Sequence, residues 1–221
     1  MKLCSSCFDQ VLDFSDGSFF ELVIENSSVM LDFLTELSAG INGKATEAIL
    51  SEDDKPIDMS THLEILLEYI DFQGNQKRFM AKLLHAMEKT ALGAEYFQQT
   101  QQLVAGIEKF LNEIAYEDEL DLRYEKLSVQ TILKSVGIQV NIDYNKLIER
   151  LYAYMELVRR FLGDQLFVLV NLRSYVSEED LKQFTSTVIE HGLHILLVDN
   201  YAYPVLDNEK RLLIDMDLCE I

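Results

Sequence analysis

The segment YEDELDLRYEKL (116–127) packs five acids into a dozen residues, with leucines and tyrosines threaded between them. Glu117, Asp121 and Glu125 recur every fourth position, so they share a face in a helix and in a strand alike. In an extended segment Glu119 joins them, while Leu120, Leu122 and Tyr124 turn the other way into apolar contact. Carboxylates held this close repel one another, and a hard divalent cation taking about six to eight oxygen ligands relieves the repulsion. The segment is no EF-hand, because the sixth-position glycine and the regular acidic spacing are missing. Arg123 falls on the acidic parity and could neutralise part of the cluster internally. The charge pattern alone leaves two readings open, a solvated hinge and an ion site.

A second constellation is basic. In NQKRFMAKLLHAMEK (75–89), Arg78, Lys82, His85 and Lys89 follow spacings of four, three and four, which puts them on one helix face, with Lys77 beside them. Phe79, Leu83, Ala86 and Thr90 form the neighbouring stripe. At 1.5 Å rise per residue the ridge is about 16 Å long, close to half a turn of duplex at roughly 34 Å per turn. Such a ridge can follow a phosphate backbone without reading bases. A solvated helix face is the alternative.

Spacing argues against other chemistry. In GINGKAT (40–46) two residues separate the glycines and Ala45 follows Lys44, so a phosphate loop's backbone cradle and magnesium-binding hydroxyl are both absent. Neither GxGxxG nor GxSxG occurs. The spacings Cys4–Cys7 and His191–His194 suit zinc, but the two pairs lie nearly a chain apart and lack the context of a metal or thiol site. Asn171 and Asp199 fall at the carboxyl ends of adjacent predicted strands, where open α/β sheets place ligands; capping of turns is the competing role.

The elements that must position these residues follow from periodicity. SFFELVI (18–24) reads as a strand after the Asp16–Gly17 turn, and Asn26, Ser27 and Ser28 offer caps for a helix stopping near Gly40. EAIL (47–50) reads as a strand, and LEILLEY (63–69) fits either a strand or a helix start. From 75 to 163 the period is helical. Leu103, Ile107, Phe110 and Ile114 form one apolar stripe, and Leu147, Leu151, Tyr154, Val158 and Phe161 form another. Ser128 and Asp143 are candidate caps. These apolar faces are expected to meet in a helical hairpin. QLFVLVN (165–171), a helix from Ser177 to His191, and LHILLVD (193–199) make a βαβ unit with buried parallel strands, and RLLIDMD (211–217) adds a last strand. The prediction is an α/β fold: a discontinuous head (1–74 plus 164–221) on a mostly parallel sheet, with an inserted α-helical leg (75–163) and an acidic hinge at 116–127.

Composition sets outer bounds. The 221 residues suffice for a good core without disulfides or metal, and 48% are hydrophobic. No apolar run approaches the ~20 residues that span a bilayer, and the first residues lack a secretory signal's apolar stretch. Three cysteines cannot all pair, which suits a reducing cytoplasm. A net charge of −19 disfavours phosphate unless the cations are gathered on one surface.

At DELDLRYEKLSVQTILKSVGIQV (118–140) the chain resembles the small CRISPR-associated spacer-acquisition proteins of type II-A systems, and the resemblance continues through LFVLVNLRSYVSEEDLKQF and LHILLVDN. It implies a head resembling a nucleotide-hydrolase fold without a working phosphate loop, which binds no nucleotide and is not an enzyme. It also implies helical legs and a ring-shaped homotetramer that takes the end of a linear duplex DNA. Calcium is implied at the joint, with Glu119, Asp121 and Glu125 standing where that family has acids and Glu117 beside them; Arg123 and Lys126 stand where the family commonly has acids. The resulting expectation is sequence-independent binding of double-stranded DNA ends during spacer acquisition. Lys77, Arg78, Lys82 and Lys89 would contact phosphates, and the CRISPR integrase and effector nuclease would be partners. The alternative is a protein scaffold for that machinery which touches DNA only incidentally.

Overall fold

A computed structural model of the chain describes residues 1–70, 72–73, 76–117, 127–142 and 144–221. Two compact units emerge, one from 1–74 with 142–221 and one from 75–141.

The first unit is built on two sheets. The chain opens with the strands β1 (Lys2–Ser5) and β2 (Phe8–Asp13), then β3 (Phe19–Ile24), helix α1 (Ser27–Ile41), β4 (Ile49–Glu52), β5 (Lys55–Pro56), the single turn α2 (Met59–His62) and β6 (Leu63–Leu66). β2, β1, β4 and β5 form a small antiparallel sheet in that order. The main sheet runs β6–β7–β8–β3–β9, where β7 is Leu166–Val170, β8 is His194–Asp199 and β9 is Glu209–Ile214. All four of its pairings are parallel. Every residue of β3 and β7 is buried, as parallel strands covered on both faces require.

Alternation then assigns the faces. Phe20, Leu22, Val168, Leu196, Val198 and Leu212 point to one side and pack with Phe33 and Leu37 of α1 and with Leu3 and Leu12 of the antiparallel sheet. The other side carries Phe167, Leu169 and Leu197 and is served by α6 (Leu147–Leu162) and α7 (Glu178–Glu190), which touch each other. Tyr154 of α6 is fully buried, donates its hydroxyl to Glu64 Oε1 at 2.6 Å, and sets its ring 5.6 Å from Phe72. The stripe Leu151, Tyr154 and Val158 is therefore buried within this unit. The helical segment grouped away from the sheet is 75–141, shorter than the 75–163 read from periodicity.

Local signals account for most helix ends. Asn26 Oδ1 accepts from the Ser28 and Val29 N–H groups at 3.0 and 3.4 Å, and Ser177 Oγ accepts from Asp180 N at 3.2 Å. Asp143 lies outside the described residues, and Lys146 stands at the α6 N-cap without a side-chain capping bond, its ammonium donating instead to Asp180 Oδ1 at 2.7 Å. Gly40 has a packing role: a Cβ there would collide with Met59 Sδ where α2 crosses α1. GINGKAT thus ends a helix, whereas a phosphate loop must begin one.

The second unit holds α3 (Lys77–Ala91), α4 (Phe97–Glu117) and α5 (Val129–Ser135). α5 packs on α3, and Ser128 Oγ caps α5 by accepting from Thr131 N at 3.1 Å. The Gln76 side chain makes two bonds to Val140, donating at 2.9 Å and accepting at 3.1 Å, which ties the start of α3 to the segment after α5.

A buried ionic cluster holds the β3–β9 side of the main sheet. Glu21 of β3 and Glu209 of β9 are fully enclosed, and Arg173, in a 3-10 turn after β7, is nearly so. Arg173 donates to Glu21, to the Pro204 carbonyl at 3.0 Å and to Glu209 at 3.4 Å, while its guanidinium lies 5.2 Å from the Tyr203 ring centre. Arg211 reaches both acids, with Glu209 Oε1 at 2.6 Å. Burial, followed by the facing Glu209 carboxylate, pushes Glu21 up to about 8. The folded protein thus favours the protonated form of Glu21. The stability this contributes is present below the ordinary carboxylate range and is lost as pH rises toward 8. Asp199, raised by burial to about 6, acts in the same sense. Denaturation of the Glu21→Gln variant beside the parent, from pH 4.5 to 8, should show the parent's advantage shrinking steadily as pH rises. An advantage that grows with pH would overturn this assignment.

Candidate functional site

α3 is amphipathic with a cationic exposed face. Phe79 is buried, and Met80, Leu83, Leu84 and Met87 are half-buried around it. Ala86 and Thr90, expected on the apolar stripe, are exposed. Lys77, Lys82, His85 and Lys89 are exposed, and Arg78 is half-exposed. Arg78, Lys82, His85 and Lys89 lie on one flank along about 16 Å of helix, as their spacing predicts. Glu88 is the only acid on α3, and it sits 3.7 Å from His85.

α5 carries a further cation. It contains no acid, it packs on α3, and it exposes Lys134 in its last turn. Sequence reasoning passed over Lys134 because a lone lysine in a short helix carries no pattern. α4 has the opposite balance, with Glu108, Glu113 and Glu117 against Lys109, which pairs with Glu113 at 3.6 Å. Charge is therefore sorted by helix within this unit.

The acidic constellation is only partly in view. Glu117 ends α4 with its side chain exposed. Glu119, Asp121 and Glu125 lie outside the described residues, together with Arg123 and Lys126. Among the described residues, no three His, Cys, Asp or Glu side chains are grouped to hold a metal ion. The α4 stripe is largely exposed: Leu103 at 54%, Phe110 at 60% and Ile114 at 38%. The described helices do not bury it against one another, contrary to the hairpin expectation.

At the carboxyl end of the main sheet, Asn171 and Asp199 occupy the predicted strand ends. Neither caps a turn. Asn171 is left-handed (φ 55°) and makes no side-chain cap bond, while its N–H donates to Val198 O at 2.8 Å. Asp199 is buried with neither carboxylate oxygen hydrogen-bonded. In a nucleotide-binding α/β fold, phosphate would sit on the amides opening α1. Here Asn26 already occupies two of them with its own side chain. Cys4 and Cys7 are free thiols on the first hairpin, and His194 belongs to β8, where burial foremost lowers its pKa. No helix among the described residues is long and apolar enough to cross a membrane.

Comparison with known proteins agrees with these features. The CRISPR-associated protein Csn2 of Streptococcus agalactiae is 20% identical over 132 residues, an alignment spanning 58% of this chain and 59% of the relative's own length. A crystal structure of Stu0660 of Streptococcus thermophilus shares the fold with a TM-score of 0.55 at 15% identity, covering 90% of this chain and 68% of that one. Residues 41–218 match the family model for the CRISPR-associated protein Csn2, so the chain belongs to the Csn2 family, whose members are involved in CRISPR adaptation.

Proposed function

We propose that this protein binds the ends of linear duplex DNA without reading base sequence, as a non-catalytic homotetramer acting in spacer acquisition beside the CRISPR integrase and effector nuclease. The observation that carries the reading is the sorting of charge in the helical unit. α3 gathers four Lys and Arg side chains against one acid in a chain of net charge −19. Lys77, Arg78, Lys82 and Lys89 contact successive phosphates along one groove edge, and Lys134 extends the ridge. Contacts of this kind position a duplex and carry no sequence information. The acidic segment 116–127 sets the geometry of the helical unit by holding calcium, whose preference for oxygen ligands suits an all-carboxylate donor set.

One observation favours assembly alone, the alternative reading as a scaffold. The exposed apolar stripe of α4, Leu103, Phe110 and Ile114, is a surface that other protein chains would cover. It serves the homotetramer equally well, so the two readings divide on DNA.

The variant Lys82→Glu/Lys89→Glu should keep the parent's particle mass while losing duplex binding. Its plot of log affinity against log salt should flatten by about 2, near 0.9 per phosphate contact removed. The parent should bind blunt linear duplex and reject closed circles. Unchanged affinity in the variant would remove α3 from the interface, and equal binding of circles would remove end recognition. For calcium, the mass in solution should be that of a tetramer with the ion and should fall after chelation. A mass indifferent to chelator would remove calcium from the assembly.

A further inference from the structure

The sheet unit carries a second charged surface of opposite sign. A groove of about 610 Å³ runs between the outer flank of α1, the tip of the β1–β2 hairpin, the loop before β4 and the last turns of the chain. Val29, Ile214 and Leu218 supply apolar contact, and Asp32, Glu36 and Glu47 supply the charge. No Lys, Arg or His is among the described residues lining it. Asp32 and Glu47 are exposed. Glu36 is held in place from the wall: Ser5 Oγ donates to its Oε2 at 2.6 Å, Ser6 N donates at 3.3 Å, and Ser6 Oγ donates to its other oxygen.

We propose that this groove docks an arginine- or lysine-rich extended segment of a partner protein. Charge complementarity and shape both select that occupant. Asp32 and Glu36 are one helical turn apart, about 6 Å along α1, and cations at alternate positions of an extended chain are separated by about 6.6 Å. Arginine and lysine stems are aliphatic, so they lie on Val29 and Leu218 while their heads reach the carboxylates. A bound metal ion is a poorer occupant, because no three such side chains are grouped to hold one among the described residues. The groove's field reaches Cys7 at its edge: burial first, and then Glu36 and Asp32, hold that thiol above its ordinary range.

The test must separate this site from the general attraction of a −19 chain for any cation. A short fluorescein-labelled peptide of alternating arginine and serine, followed by anisotropy, is the probe. Three proteins are compared: the parent, Asp32→Lys/Glu47→Lys, and Glu178→Lys/Glu179→Lys. The last pair lies in the first turn of α7, away from the groove lining, and changes net charge equally. The parent and the α7 variant should bind alike, and the groove variant at least about tenfold more weakly, the loss expected when two favourable charge pairs become repulsive. Equal weakening in both variants would show unspecific attraction and overturn the site. Absence of parent binding would also overturn it. Unchanged duplex binding by the groove variant would show that the two surfaces act separately, whereas its loss would contradict that separation.

Discussion

Like charges repel over distances that salt limits, and this constraint shapes the whole molecule. At physiological ionic strength the screening length is about 8 Å, so a phosphate backbone responds to the side chains it touches more than to a distant net charge of −19. A ridge about 16 Å long exceeds that length, which allows α3 to present a cationic surface while acids elsewhere are screened. The cost falls on the chain that follows. With the cations collected on α3 and α5, α4 holds a surplus of acids.

The sheet unit solves a related problem inside the fold. A parallel sheet of this order opens a crevice at its carboxyl ends, which many α/β proteins fill with a ligand. Here the neighbourhood is filled from within. Asn26 caps its own helix, and the Arg173 and Arg211 guanidiniums are engaged by Glu21, Glu209 and the Pro204 carbonyl. A buried network of this kind fixes geometry and leaves few donors for phosphate. Neither carboxylate oxygen of Asp199 has a hydrogen-bond partner, and burial raises its pKa.

The legible parts of the fold were those where one signal dominates. Continuous apolar runs bounded by caps exposed β3, β7, β8 and α7, and the four–three–four spacing exposed the α3 ridge. The first hairpin was missed because Leu3, Phe8 and Leu12 are its inward residues while Val11 faces solvent and the pairing shifts register between Leu3 and Ser5. An amphipathic stripe records that a face is covered, never by what: the α6 stripe is buried within the sheet unit, and much of the α4 stripe stays exposed. Glu21, Arg173, Glu209 and Arg211 lie far apart in sequence, so only folding brings them together. An acid inside the run FFELVI was the one visible trace of that cluster.

Contact between duplex phosphates and the α3 face is the central interaction proposed, and lysine acetylation footprinting by mass spectrometry reads it directly. With blunt linear duplex added, Lys77, Lys82, Lys89 and Lys134 should lose most of their labelling, while Lys109 on α4 and Lys182 on α7 should be labelled as before. Labelling of the α3 lysines that duplex leaves unchanged, or protection spread evenly over all six, would contradict it.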